Sequence, residues 1–413
     1  MTPMPAHGEP PGAARGAARS SGRPPWVRFD RNELAGSFGD IGTDLPLIVG
    51  IVLATGLDAG GVFAVFGLLQ VATGLVYGLP MPVQPLKAMA VLVIAQRIAG
   101  PVLLGAGLAI GLVMLALAAS GALDWLARRI PLSVVRGVQF GLGLSLASLA
   151  LRDYLPAMGA PGFALASGGL LAMLALWGSR RVPPGLVVIG LGATWALVTG
   201  LPVGRMVGGF GLTLPAFHVP RLEDVLAGAV ALALPQLPLS LSNSVIATER
   251  TVRDLFPERA VSARRIGLTY GVVNVVAPFL GGIPACHGCG GIAGHHAFGA
   301  RTGGSVVIYG TLYLVLGLFM SAPLHDVLGL FPKPVLGVVL LFEALALMAL
   351  VRDQAGTPRD LAIALLVGVV ALAAPQGFVA GLLLGTLVHY GFPRFGAAGD
   401  ADRDAPGGPP AAV

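Results

Sequence analysis

Two segments about two hundred residues apart, 78–90 and 281–291, combine proline, glycine and polar side chains within apolar sequence. Gln84 and Lys87 lie in the first segment, and His287 lies in the second. Because proline lacks a backbone donor and glycine lowers helix propensity, neither segment can begin as a regular helix. Inside a membrane, non-helical backbone is stable only where it is buried in protein or lines a polar cavity. A matched pair of such segments, one in each half of the chain, indicates the binding site of a transporter.

A helix is predicted to follow each interruption, beginning near Pro85 in the first segment and near Gly288 in the second. The first backbone amides of a helix lack intrahelical acceptors and carry the positive end of the helix dipole. Two such helix starts that face each other would bind an anion. We therefore expect the amides after Pro85, and those around Gly288 and Gly290, to bind the oxygen atoms of an anionic ligand. The glycines would let this ligand approach the backbone closely.

Lys87 indicates the sign of the ligand. It is one of two lysines in the chain and falls in the first turn of the predicted half-helix. A cation there opposes the helix dipole, and a charge at membrane depth is unfavourable, so a bound anion would offset both effects. The alternatives are an ion pair with Asp40, Asp44 or Glu343, or an extended side chain that reaches the cytoplasmic face.

Neutral polar side chains in the neighbouring spans could donate further hydrogen bonds to an oxyanion. They are Gln84, Gln236, Ser240, Ser242 and Asn243. For Ser242 and Asn243, hydrogen bonding between helices is an equally simple role. Gln84 and Gln236 each lie beside a proline in corresponding parts of the two halves, and for these two we favour the binding site.

Two carboxylates, Asp40 and Asp44, are four residues apart and share one face of a helix. Carboxylates inside membrane spans are candidates for proton relays. We predict that one of them couples proton movement to anion movement. A helix cap, or an ion pair to Lys87 or to an arginine, is the structural alternative.

The second segment also has the residue types of a zinc site, with Cys286, Cys289, His287, His295 and His296 close in sequence. A structural zinc site usually draws a second ligand pair from a separate loop, and a thiolate pair beside the half-helix would repel an oxyanion. We therefore expect no metal and no other cofactor. His287 is predicted instead to donate a hydrogen bond to the ligand or to carry a proton.

The surrounding sequence is that of an all-α polytopic membrane protein. Of the 413 residues 55% are hydrophobic and 11% are charged, whereas soluble domains have about 25% charged residues. Twelve continuous spans are predicted, at 38–57, 61–79, 101–120, 132–151, 163–178, 185–201, 225–247, 266–282, 305–322, 328–350, 361–374 and 376–391. Two half-spans, 84–97 and 287–299, bring the predicted total to fourteen. No nucleic-acid-binding motif is present, so membrane lipid and a small anion are the expected partners.

The 24 arginines predict the orientation of the chain. With fourteen spans and a cytoplasmic N-terminus, most arginines fall in cytoplasmic loops, as the positive-inside rule requires. The basic residues expected on the opposite side are Arg97, Arg152, Arg205, Arg221 and Lys333. Both termini are therefore expected to be cytoplasmic. Residues 1–31, which are basic, and residues 393–413 are predicted to be disordered tails.

The two halves of the chain resemble each other. Residues 44–47 resemble residues 236–239, and an Ala-Thr pair follows each run about eight residues later. The broken segments then follow at similar distances. Because seven spans per half is an odd number, the halves must be inverted relative to each other in the membrane. We predict seven-span repeats at 32–202 and 222–392, with the half-helices as spans 3 and 10.

The motifs at these positions resemble those of the molybdate transporters related to the sulfate permeases, a family found in bacteria, algae and plants. The matching stretches are 38–43, 80–87, 235–239, 243–247, 254–257, 286–288, 290–291 and 298–301. The resemblance implies the fold of the sulfate permeases and of uracil permease, with seven plus seven inverted spans. It also implies a core domain of spans 1–4 and 8–11 and a gate domain of spans 5–7 and 12–14. Sulfate permeases usually carry an additional STAS domain, and we expect none here.

By this resemblance we expect no enzyme but a secondary transporter in the cytoplasmic membrane of a bacterium. It would import a tetrahedral oxyanion by alternating access, with proton coupling; molybdate is the first choice and sulfate or tungstate the next. The expected site consists of Gln84, Pro85, Lys87, Gln236, Asn243, His287, Gly288 and Gly290. A nucleobase permease of the same fold would typically have carboxylates where this chain has Gln236 and His287. A metal-dependent membrane protein and a binding-only sensor are also compatible with these residues, and a homodimer stays open.

Overall fold

The structure is a computed structural model, and it describes residues 26–123, 125, 129–176, 179, 182, 184–200, 209–393 and 395. These residues are mostly helical. The first half contains α1 (Arg31–Ser37), α2 (Ile41–Thr55), α3 (Ala59–Tyr77), β1 (Val83–Pro85), α4 (Lys87–Gln96), α5 (Gly100–Ser120), α6 (Leu132–Leu149), α7 (Gly159–Ala175) and α8 (Pro184–Thr199). The second half contains α9 (Leu222–Leu255), α10 (Ala263–Val276), β2 (Ala285–His287), α11 (Cys289–Ala297), α12 (Gly304–Phe319), α13 (Ser321–Leu330), α14 (Lys333–Ala349), α15 (Pro358–Ala373) and α16 (Gly377–Gly391).

Five helical segments in the described part of the chain are long and apolar enough to cross a membrane. They are α3, α5, the segment Leu132–Ala175 that contains α6 and α7, α9, and α14 continued to Gln354. Shorter apolar helices of 10–17 residues occur in α2, α4, α8, α12 and α16. This composition is that of a multi-pass membrane protein, and the total of fourteen spans stays a prediction.

The helices pack as two groups. The first helix group consists of α1–α5 and α9–α12, where α3 packs along α12, and α5 packs along α10 and the start of α9. The second helix group consists of α6–α8 and α14–α16, where α6 packs against α14 and α15. Between the groups, α2 lies against α8 and α14, and α4 lies against α6. Each group therefore combines helices from both halves of the chain.

Two prolines, Pro235 and Pro238, interrupt the hydrogen bonding in the middle of α9. Proline removes a backbone donor, and its ring clashes with the carbonyl group of the preceding turn. The backbone widens into π-helical turns on either side, at Ala229–Ala233 and Ser240–Ile246. The wider turns let α9 continue past both prolines, and Gln236 lies between them at the contact with α4.

Residues 26–31, which the sequence assigns to the N-terminal tail, contact the first helix group. The Trp26 indole nitrogen donates a hydrogen bond to the Leu75 carbonyl oxygen at 2.5 Å, and the Arg28 amide donates to Thr302 Oγ1 at 3.1 Å. Asp30 caps α1 by accepting hydrogen bonds from its first amides. Residues 1–25, 394 and 396–413 of the two predicted tails, and Arg205, lie outside the described residues.

Candidate functional site

The two broken segments meet as a short antiparallel ribbon of β1 and β2. The register pairs Val83 with His287, Gln84 with Cys286, and Pro85 with Ala285, and all six residues are buried. Because the strands are antiparallel, α4 and α11 leave opposite ends of the ribbon with their N-termini toward it. The expected helix after each interruption is present, since α4 begins at Lys87 and α11 begins at Cys289.

Two buried amide side chains hold the ribbon. Gln70 of α3 brackets Val83, donating from Nε2 to the carbonyl oxygen at 2.7 Å and accepting at Oε1 from the amide at 3.0 Å. Asn274 of α10 brackets Ala285 in the same way, at 2.6 and 2.9 Å. Buried backbone groups need partners, and these side chains provide them. Sequence reasoning missed both residues, although each is an isolated amide in the apolar helix that precedes a broken segment.

A side chain from α9 caps the N-terminus of α4. Gln236 Oε1 accepts hydrogen bonds from the amides of Ala88 at 2.9 Å and Met89 at 3.2 Å. The Leu86 amide donates to the Pro284 carbonyl oxygen at 3.1 Å. The structure therefore differs from the expectation that the first amides of this half-helix bind the ligand. They are buried and need an acceptor, and Gln236 supplies one.

The N-terminus of α11 is not capped. Within the described part of the chain, no oxygen atom accepts a hydrogen bond from the amides of Cys289, Gly290 or Gly291, and the Cys289 sulfur, a weak acceptor, lies beside the first two. Gly290 is exposed, and a Cβ atom added there would meet nothing within 4 Å. Amides without an oxygen acceptor at the positive end of a helix dipole, with open space beside Gly290, form an arrangement that binds oxyanions.

Gln84 and Asp40 lie directly beside this helix start. Gln84 Nε2 donates to Asp40 Oδ2 at 2.6 Å, and both side chains are buried. A Cβ atom at Gly288 would lie 1.5 Å from Gln84 Oε1, and one at Gly291 would lie 2.6 Å from Asp40 Oδ2. Gly288 and Gly291 are therefore needed for the packing of these polar side chains, whereas Gly290 faces open space.

Lys87 forms an ion pair with Glu343 of α14, one of the three partners that the sequence suggests. Its Nζ atom lies 2.5 Å from Glu343 Oε1, and the two side chains are 27% and 15% exposed. Asp40 and Asp44 are close enough to act electrostatically on the same ammonium group. Lys87 also acts electrostatically on Cys289 at the start of α11, so its charge reaches the uncapped helix end.

Of the remaining polar candidates, one lies at the start of α11 and the others take part in helix packing. Asn243 Oδ1 accepts a hydrogen bond from Cys289 Sγ at 3.3 Å, which places this half-buried side chain at the first residue of α11. Asp44 is fully buried, and its Oδ2 atom accepts a long hydrogen bond of 3.4 Å from Tyr309. Its Oδ1 atom has no hydrogen-bond partner among the described residues. Ser242 bonds to the Pro238 carbonyl within α9, so it serves helix packing.

His287 lies on the face of the ribbon opposite to Gln84. Directly paired residues share a face and successive residues alternate, and Gln84 is paired with Cys286. The His287 side chain is fully buried, with Nε2 at 2.9 Å from Thr269 Oγ1 and the ring edge-on to Tyr77. These contacts are inside the first helix group, so we do not include His287 among the proposed ligand donors.

The residue types that suggested zinc do not converge. In the part of the chain that the structure describes, no group of three or more His, Cys, Asp or Glu side chains could hold a metal ion. Cys286 is buried in β2, and Cys289 contacts Asn243. His295 bonds to Ser305, and His296 packs edge-on against Phe256.

A polar cavity of about 390 Å³ opens between the two helix groups at the C-terminal end of α4. It is lined by Leu53, Ala54, Ile94, Arg97, Leu149, Asp153, Tyr154 and Lys333. Arg97 and Lys333 are two of the basic residues that the sequence places on the non-cytoplasmic side. Neither side chain forms an ion pair or a hydrogen bond with another described residue, so both positive charges are open to an approaching anion.

The fold is that of known anion transporters. The structure resembles the transmembrane domain of the cyanobacterium bicarbonate transporter BicA, with a TM-score of 0.63 and 15% identity, over 88% of this chain and 98% of that chain. It also resembles murine Slc26a9 in the inward-facing state, with a TM-score of 0.64 and 12% identity, over 88% of this chain and 68% of that chain. These similarities define the class as a multi-pass membrane protein with the fold of BicA and SLC26 proteins.

Within this class, the chain belongs to the molybdate transporter family, as its motifs predict. A family model described as "Molybdate transporter of MFS superfamily" matches residues 32–146 and 228–347. The chain is 34% identical to Molybdate transporter 1 of Arabidopsis thaliana over 401 residues, covering 85% of this chain and 87% of the relative. It is 29% identical to Molybdate transporter 1 of Chlamydomonas reinhardtii over 477 residues, covering 87% of this chain and 92% of the relative. The family model is described by the MFS superfamily, whereas two solved structures with a similar fold are those of BicA and Slc26a9.

Proposed function

We propose that this protein is a secondary transporter that imports molybdate and binds it at the start of α11. The observation that carries the proposal is the helix start at Cys289, Gly290 and Gly291, whose amides have no oxygen acceptor among the described residues and which has open space at Gly290. Asn243 and the second N–H of the Gln84 amide are available beside them. A tetrahedral dianion offers four oxygen acceptors to these donors, and the family relationship favours molybdate among such dianions.

The two helix groups support a division into a core and a gate. The proposed ligand donors and the ribbon belong to the first helix group, which corresponds to the expected core, and α6–α8 with α14–α16 correspond to the gate. Gln70 and Asn274 bracket the two strands in the same way from α3 and α10, which supports an inverted repeat of seven plus seven spans. The core would carry the anion by moving relative to the gate, in a cytoplasmic membrane with both termini inside.

The charges around the site support proton coupling. The carboxylates Asp40, Asp44 and Glu343 surround the single ammonium group of Lys87. If all are ionised the cluster has a net charge of −2, so a dianion would enter a region that already repels it. A proton bound together with the anion relieves part of this repulsion. Asp40 and Asp44 are the candidates that the sequence offers for the protonated group.

Uptake into proteoliposomes tests the proposal. Purified protein should accumulate labelled molybdate when the outside is more acidic than the inside, and a protonophore should reduce the accumulation. Unlabelled tungstate and sulfate added in competition measure the preference among tetrahedral dianions. The double variant Gln84→Ala, Lys87→Ala should remain at the level of empty vesicles. Wild-type uptake no higher than that of this variant would overturn the proposal, and uptake of sulfate alone would replace molybdate by sulfate.

A further inference from the structure

Among the ion pairs of the described residues, only that of Lys87 and Glu343 joins the two helix groups. Building on the proposed function, we infer that an entering oxyanion displaces Glu343 from Lys87 and that Glu343 takes up a proton as it is displaced. The proton-coupling group is then Glu343 of α14, on the gate side. The sequence alone suggests Glu343 only as a partner of Lys87.

Lys87 is the part of α4 that remains available to a ligand. Gln236 already occupies the amides of Ala88 and Met89, so the helix start itself has few free donors. The lysine ammonium group, in contrast, is held by one carboxylate oxygen and is partly exposed. An oxyanion bound at α11 could replace that oxygen with one of its own, because both form charge-assisted hydrogen bonds to an ammonium group.

A proton that enters with the anion compensates part of the charge that the anion brings. An ammonium–carboxylate pair, a dianion and a proton become an ammonium–dianion pair and a carboxylic acid. Without the proton, a displaced carboxylate and a dianion would face the same ammonium group beside Asp40 and Asp44. Like charges in a partly buried site repel strongly, so uptake of the proton stabilises the bound state.

Of the three carboxylates near Lys87, Glu343 is the one that is displaced from its partner. From α2, Asp40 keeps its hydrogen bond to Gln84, and Asp44 is fully buried against Tyr309. From α6, Arg136 is already bonded to Asp353 at 2.5 Å. The helices α7 and α8, which also pack against α14, contain no ionisable side chain. The turn Ala150–Tyr154 carries Arg152 and Asp153 and packs against α14 near Gly337, more than a turn away from Glu343. Glu343 is 15% exposed, so a proton can reach it from solvent.

Proton uptake on binding can be measured directly. Molybdate binding to the purified protein is followed by titration calorimetry in two buffers of different ionisation enthalpy and over a range of pH. The wild-type protein should take up about one proton per anion, so its dissociation constant should rise by up to about tenfold per pH unit in the alkaline limb. Glu343→Gln imitates the protonated acid. It should bind molybdate with an affinity that is independent of pH in this range and with about one proton fewer.

Two controls identify the residue that carries the proton. Asp40→Asn tests the competing carboxylate and should leave the proton uptake in place. Glu258→Gln changes an exposed loop glutamate and should behave as the wild type. Full proton uptake in Glu343→Gln, or its loss in Asp40→Asn alone, would overturn the inference. A wild-type protein that binds no oxyanion would instead contradict the proposed function.

A second variant covers the case in which Glu343→Gln does not fold because Lys87 is left without a counter-charge. The double variant Lys87→Gln, Glu343→Gln removes both charges together. It should bind molybdate more weakly, through α11 alone, and without proton uptake. Proton uptake by this double variant would contradict the inference as clearly as uptake by the single variant.

Discussion

At the residue scale, the glycines of the second broken segment have two different roles. Gly288 and Gly291 make room for Gln84 and Asp40, and Gly290 faces open space in front of the free amides. We predict that Gly290→Ala folds normally and is more stable by about 1 kcal/mol, because alanine favours a helix over glycine. Its methyl group should nevertheless obstruct the ligand and weaken molybdate binding by about tenfold, which corresponds to about 1.4 kcal/mol. Thermal unfolding and equilibrium binding in detergent measure the two effects.

Gly190 of α8 provides the matched control. It is also an exposed glycine within a helix, and an added Cβ atom there meets nothing within 4 Å. Gly190→Ala should show a similar gain in stability with unchanged molybdate binding. If Gly290→Ala binds molybdate as tightly as Gly190→Ala does, the ligand does not lie in front of the α11 amides.

Single residues show how far the sequence alone can locate a site. Isolated polar groups such as Gln84, Lys87 and Gln236 stand out in apolar sequence, and the structure places all three at or between the two half-helices. Their partners do not follow from the sequence. Gln236 caps α4 because α9 crosses it there, and the direction of His287 depends on the register of the ribbon. Both are set by tertiary packing rather than by neighbouring residues.

At the scale of elements, the ribbon depends on one amide side chain from each half of the chain. Gln70→Ala leaves the buried amide and carbonyl groups of Val83 without these partners, and Asn274→Ala does the same to Ala285. Each unsatisfied buried group typically destabilises by about 1–3 kcal/mol. We predict that both variants lower the unfolding temperature by similar amounts and weaken molybdate binding, because the ribbon positions α11.

Gln96→Ala is the control for these two variants, since Gln96 is an exposed amide at the end of α4. Its unfolding temperature and its affinity for molybdate should match those of the wild type. An unchanged unfolding temperature in both Gln70→Ala and Asn274→Ala would show that the ribbon does not need these side chains.

The elements differ in how well local sequence predicts them. Proline and glycine predict where the broken segments interrupt the helices, and α4 and α11 begin within two residues of the expected positions. The pairing of β1 with β2 could not be predicted in this way. Each strand has three residues, and the strands come from distant segments whose meeting depends on how the surrounding helices pack.

At the scale of the whole molecule, hydropathy predicts the membrane class but not the limits of the helices. The sequence predicts one span at 225–247, whereas α9 extends over Leu222–Leu255. The predicted span 132–151 and residues 163–175 of the next predicted span belong to one helical stretch, Leu132–Ala175, which passes through Gly159 with φ of +60°. Hydropathy reports where a chain is apolar, whereas the helix ends depend on caps and on left-handed residues.

The division into two helix groups predicts that binding and transport can be separated. Gly42 of α2 and Gly185 of α8 touch across the groups, and a Cβ atom at Gly185 would lie 2.7 Å from the Gly42 Cα atom. Gly185→Val would insert a wedge into this contact, while the α11 amides lie within the first group. Molybdate binding should remain within about twofold of the wild type, and uptake should fall by at least about tenfold, because two close-packed surfaces do not slide past an inserted side chain. Gly190→Val, on the same helix but facing open space, should retain uptake. Normal uptake by Gly185→Val would show that transport does not require the two groups to move past each other at this contact.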